Sequence, residues 1–127
     1  AIAAESGQTL WSREISSYVG VASDWNSIYT IRDDGEIIAL RRNSGIEIWR
    51  NDEFLRRALT LPTPFNTAVV VGDYQGYLHF LSNINGKQMA RVRFGRDAIT
   101  SKPLVMGNRL FIQSDNGNIG AFEIVKN

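Results

Sequence analysis

Short apolar runs, separated by polar turns that carry glycine, recur along the whole chain. Ile28-Tyr29-Thr30-Ile31, Ile37-Ile38-Ala39-Leu40, Ala68-Val69-Val70-Val71 and Leu110-Phe111-Ile112 are rich in β-branched and aromatic residues. That composition and shortness predict strands. Residues 37–40 and 68–71 are apolar at consecutive positions, so these strands are expected to be covered on both faces. Only Asn51–Leu59 could pass for a helical turn, and it reads as a loop.

The runs repeat. Gly35, Gly76 and Gly117 are spaced 41 and 41 residues apart; Gly45 and Gly86, and Pro62 and Pro103, keep the same interval. The strongest apolar segments begin in register at 28, 69 and 110. Each unit reads as a strand (19–22, 60–63, 100–102), a second apolar strand, a tight turn with glycine, and a third strand (36–40, 77–81, 118–122). A turn headed by Gly45 or Gly86 then opens a fourth strand. Four short strands in about 40 residues is the arithmetic of a propeller blade, and glycine at each hairpin supplies the positive φ such a turn needs. The expected fold is all-β, with antiparallel four-stranded blades. Its expected divisions are an orphan outer strand at 8–15, blades at 19–50 and 60–94, and a three-stranded last blade at 100–125. Closed propellers have about four to eight blades, so three predict an incomplete ring, part of a larger one. Its unpaired strands predict self-association, with Gln8–Ile15 completing the last blade of a second copy.

Composition narrows the function. The 127 residues are 43% hydrophobic and 21% charged, with a formal net charge of +1. Bulk attraction to nucleic acid needs concentrated positive surface, which this balance does not provide. No cysteine means no disulfide, thiol nucleophile or Cys-based metal site. No apolar run approaches the ~20 residues of a membrane span, and the N-terminal residues lack the pattern of a signal peptide, so any export signal is expected upstream.

Candidate chemistry is sparse. His79, the lone histidine, lies between Leu78 and Phe80 and reads as an inter-blade packing residue, with no second histidine or cysteine to share a metal. A Ser-His-Asp triad would need the same histidine and lacks a Gly-x-Ser-x-Gly elbow. Asp33-Asp34, Asp73 and Asp115 sit near hairpin glycines without the ligand spacing of a calcium loop, and read as turn formers. No catalytic, cofactor-binding or metal residue is assigned. The basic spots are Arg41-Arg42, Arg56-Arg57 and the group Arg91, Arg93, Arg96. Phe54-Leu55-Arg56-Arg57 combines apolar anchors with arginine and is the first candidate for a partner contact. Trp25, in a turn, is another.

Two units carry alanine, glycine six residues on and tryptophan four further: Ala1, Gly7, Trp11 and Ala39, Gly45, Trp49. This resembles the repeat of the pyrroloquinoline-quinone propellers, and the resemblance implies that Trp11 and Trp49 lock blade to blade. Phe80, Gly86 and Ala90 depart from it, and Ala3, Arg41 and Ser82 stand where an aspartate is usual. A closer resemblance is to the BamB family of outer-membrane assembly lipoproteins. It is carried by Gly45–Trp49 followed by Leu55–Thr60, by Val70-Val71-Gly72-Asp73-Tyr74-Gln75-Gly76-Tyr77-Leu78-His79-Phe80, and by Asn108–Ile124. It implies the C-terminal blades of an eight-bladed ring and a non-catalytic scaffold without cofactor at the periplasmic face of the outer membrane. The implied partners are the POTRA domains of BamA, other subunits of the assembly complex and unfolded outer-membrane proteins. Membrane attachment would come only through a lipid anchor outside this chain. The alternative is a quinone-dependent dehydrogenase propeller, which the missing cysteines and repeat aspartates disfavour.

Overall fold

The computed structural model describes residues 11–12, 18–32 and 34–123, and among them there are strands and turns but no helix. The expected outer strand at 8–15 lies outside the described residues except for Trp11 and Ser12, as do Asp33 and the residues after Glu123. Strands β1 (Tyr18–Ser23), β2 (Ser27–Arg32), β3 (Ile37–Arg41) and β4 (Glu47–Asn51) form one sheet. Strands β5 (Thr63–Phe65), β6 (Ala68–Gly72), β7 (Tyr77–Ser82) and β8 (Gln88–Arg93) form a second. Strands β9 (Leu104–Met106), β10 (Arg109–Gln113) and β11 (Ile119–Glu123) form a third. Every pairing is antiparallel between neighbours in the chain.

The repeat is written into the backbone bonds. Gly45 N–H donates to the Arg41 carbonyl and Gly86 N–H to the Ser82 carbonyl, each at 2.9 Å. Arg42 N–H reaches Asn26 O at 3.1 Å, and Asn83 N–H reaches Thr67 O at 3.0 Å. Even the register shift in the last pairing recurs, between Ala39 and Leu40 and again between Phe80 and Leu81.

The first strands of the second and third sheets start later than the sequence pattern predicts, at 63 and 104 rather than 60 and 100. The prolines explain the shift. Pro62 and Pro103 have no N–H for a ladder, so each strand begins just after its proline. Val21 holds the same repeat position in the first sheet, and β1 runs through it for 6 residues where β5 and β9 have 3. Thr60 pairs instead with Gly72 from outside the strand, its N–H to the Gly72 carbonyl at 2.9 Å and its hydroxyl taking the Gly72 N–H at 3.0 Å.

Side-chain alternation on β6 binds the three sheets together. Val69 and Val71 join Tyr29, Ile31, Ile37, Ala39, Trp49 and Leu81 in one core. Val70 faces the other way and joins Leu78, Ile99, Leu110 and Ile112 in a second. All five residues of β6 are buried, which is why its sequence is apolar without alternation.

Candidate protein-interaction surface

Trp49 leaves the edge strand of the first sheet and lies against Gly86 at the turn into β8; its indole N–H donates to the Asn83 carbonyl at 3.0 Å. Trp11 repeats the contact one unit earlier, against Gly45 and with the Arg42 carbonyl at 2.9 Å. A Cβ on either glycine would sit 2.3–2.5 Å from an indole carbon, and both glycines have φ near +75°. Only glycine allows this approach. Asn51 adds a buried bond across the same junction, its amide donating to Gly86 O at 2.7 Å.

Above this junction the chain crosses between sheets through residues 52–62, and the four-residue candidate divides there. Phe54 is 4% exposed and packs on the His79 ring at 4.5 Å between centroids. Leu55 is 47% exposed and Arg56 is exposed, so the surface presents these two. Their backbone is pinned: Arg56 N–H donates to Asp34 O at 2.7 Å, and Tyr74 N–H reaches Arg57 O at 3.2 Å. Arg57, half-buried, points its guanidinium at Asp73, 3.5 Å from Oδ2.

Asp73 is the hub that sequence reading took for a turn former. It does form the turn, its Oδ1 accepting the N–H groups of Gln75 and Tyr77 at 2.9 and 3.0 Å. Its Oδ2 also lies 2.8 Å from His79 Nε2, with both side chains buried. Gln88 places its amide nitrogen 3.1 Å from His79 Nδ1, so Nδ1 accepts and Nε2 carries the proton to Asp73. Burial holds the His79 pKa below its ordinary value; the Asp73 hydrogen bond and charge oppose that shift, and Arg57 and Arg91 reinforce it. The unfolded chain therefore takes up a proton more readily than the native one, and stability falls as pH drops below about 6.5, towards the depressed native value. In urea unfolding at pH 7.5 and 5.5, His79→Gln should lose less stability between the two pH values than the parent. An identical loss in both would exclude this histidine as a source of the slope.

Trp25 projects from the opposite rim, 86% exposed, beside a depression of about 330 Å³ shared with Arg41, Ile48, Asn83 and Ile84. Among the described residues no group of three His, Asp or Glu side chains is placed to hold a metal ion.

Antiparallel sheets stacked face to face through a repeated tryptophan–glycine lock define a β-propeller of the pyrroloquinoline-quinone-like repeat. The family model described as outer membrane protein assembly factor BamB matches residues 1–51. Outer membrane protein assembly factor BamB of Pseudomonas aeruginosa is 38% identical over 98% of this chain and 33% of its own length. The crystal structure of BamB from Moraxella catarrhalis superposes with a TM-score of 0.83 at 29% identity, over 93% of this chain and 35% of that one. The chain belongs to the BamB family, and spans about a third of the length of the relatives it matches. A quinohemoprotein alcohol dehydrogenase from Pseudomonas putida shares the fold alone, with TM-score 0.67 and 19% identity over 81% of this chain and 18% of its own.

Proposed function

We propose that this chain is part of a non-catalytic scaffold of the outer-membrane protein assembly complex, at the periplasmic face of the outer membrane. In this reading it helps hold the POTRA domains of BamA and aids the delivery of β-barrel proteins. The observation that carries the reading is the likeness to assembly factors over 98% of the chain. The geometry is compatible with that reading: backbone hydrogen bonds tie the 52–62 crossover to Asp34 and Tyr74, and Leu55 and Arg56 face solvent. A preordered apolar–arginine pair loses little entropy on contact.

The test is a pull-down of the BamA POTRA domains by the intact protein that carries this chain, repeated with Leu55→Ala/Arg56→Glu. Arg57 is left alone, because its bridge to buried Asp73 would confuse a lost contact with a lost fold. The parent should bind, and the double variant should bind about tenfold or more weakly, roughly 1.4 kcal/mol. Undiminished binding places the contact elsewhere; no binding by the parent removes the POTRA assignment.

A further inference from the structure

The face of the second sheet that looks toward the first carries positive charge that its surroundings leave unneutralised. The β7–β8 register sets Tyr77 opposite Arg93 and His79 opposite Arg91, all on this face. Both guanidiniums turn onto the tyrosine, with Cζ 4.8 Å from the ring centroid for Arg91 and 5.0 Å for Arg93. The two cations are thus held within about 10 Å of each other, one Debye length at 0.1 M salt. Among the described residues neither forms an ion pair, and the Arg93 Nε is spent on the Gly95 carbonyl at 2.9 Å. Arg57 also lies near this face, but its charge is met by Asp73 at 3.5 Å, which leaves Arg91 and Arg93 as the uncompensated pair.

Stacking on the tyrosine fixes where each guanidinium plane lies and leaves its N–H edge free for an anion. Two such edges held beside one ring suit planar, bidentate acceptors such as carboxylates. The strand that carries them, β8, ends the sheet, all six of its residues are exposed, and among the described residues no strand pairs with its outer edge. Arginine on an open edge deters an uncharged strand and favours one bearing carboxylates.

We propose that Arg91, Tyr77 and Arg93 form a carboxylate-binding platform that takes an acidic, extended segment of a partner protein along the edge of β8. A peptide strand uses both the guanidinium edges and the open backbone row; a lipid headgroup uses only the first. Recruitment to an anionic membrane draws on clusters of four to eight basic residues, which a chain of net charge +1 with this isolated pair lacks. The partner is defined here by its acidity and extension, so the inference stands apart from the POTRA assignment.

The probe is a labelled peptide of alternating threonine and glutamate, about eight residues long, titrated into the intact protein and followed by fluorescence anisotropy. Saturable binding is expected, weakened about tenfold or more by Arg91→Gln/Arg93→Gln. Arg41→Gln/Arg109→Gln removes the same charge from other sheets and should change affinity less than about twofold. Reversing the platform with Arg91→Glu/Arg93→Glu should exchange the preference for a threonine–lysine peptide. Equal losses in the two glutamine doubles would reduce the effect to bulk charge. Equal affinity for a threonine–glutamine peptide would remove the carboxylate. Absence of binding overturns the proposal, and so does platform-dependent binding of phosphatidylglycerol vesicles without binding of the peptide.

Discussion

Trp49→Ala should cost about 3–5 kcal/mol in equilibrium denaturation followed by circular dichroism. The ring is 6% exposed, lies 6.0 Å from Tyr29 between centroids and fills the junction of the first two sheets. Its loss leaves a cavity there and an unmatched carbonyl at Asn83. Gly86→Ala attacks the same contact from the other side. Its new Cβ would meet Trp49 Cε3 at 2.3 Å and would have to adopt φ +74°. The strain of that backbone is about 1–2 kcal/mol and the overpacking adds about 1–3. The decisive quantity is the coupling. With Trp49 already removed, Gly86→Ala should cost only its backbone strain, so the double variant should be more stable than the two losses combined predict, by about 1 kcal/mol or more. Strictly additive losses would mean that the two residues do not act as one lock.

Part of the tryptophan–glycine contact was open to sequence reading: Gly45 and Gly86 fall on the 41-residue period, and Trp11 and Trp49 each stand four residues after a glycine, although Ala90 breaks that pattern in the next unit. The sheets were legible for the same reason: each hairpin glycine marks a turn, and the unbroken apolar run of β6 announces burial on two faces. Strand starts were not, because reading the first strand by analogy overlooked what proline at 62 and 103 does to a ladder that Val21 leaves intact.

The candidate contact segment could be read for residue type but not for direction. Phe54-Leu55-Arg56-Arg57 has the composition of a contact, yet in a crossover with positive φ at Arg56 (64°) and Ala58 (51°) Phe54 is buried in the core while Leu55 faces water. No glycine signals those two turns. Arg91 and Arg93 read as one basic spot among several because their meeting on Tyr77 depends on the cross-strand register of β7 and β8. His79 looked like a packing residue, and it packs. Its link to Asp73 and Gln88 arises only when the hairpin closes and brings residues 73, 79 and 88 together.

That link makes Asp73 the side chain through which the hairpin, the histidine and the crossover are held to one another, and Asp73→Ala should be among the most destabilising single changes, at about 3–5 kcal/mol. The substitution strands two backbone N–H groups, the buried His79 Nε2–H and the Arg57 guanidinium. Asp73→Asn separates these roles. Its oxygen can still accept from Gln75 and Tyr77, so the turn survives, but an amide nitrogen then meets the His79 Nε2–H, donor against donor. The histidine can answer by moving its proton to Nδ1, where the Gln88 amide must rotate to accept it. The variant should therefore fold, with a smaller loss than alanine, and histidine NMR should show the ring as the other tautomer. With the carboxylate gone, a contribution that favours protonation also disappears, so His79 should titrate at still lower pH than in the parent. Arg57 loses its counter-charge as well, which frees the guanidinium while Arg56 stays pinned through its backbone to Asp34. POTRA binding in Asp73→Asn should then fall by no more than a few fold. A tautomer unchanged from the parent, or a stability loss equal to that of alanine, would show that the turn alone, and not the bridge to His79, is what the carboxylate supports.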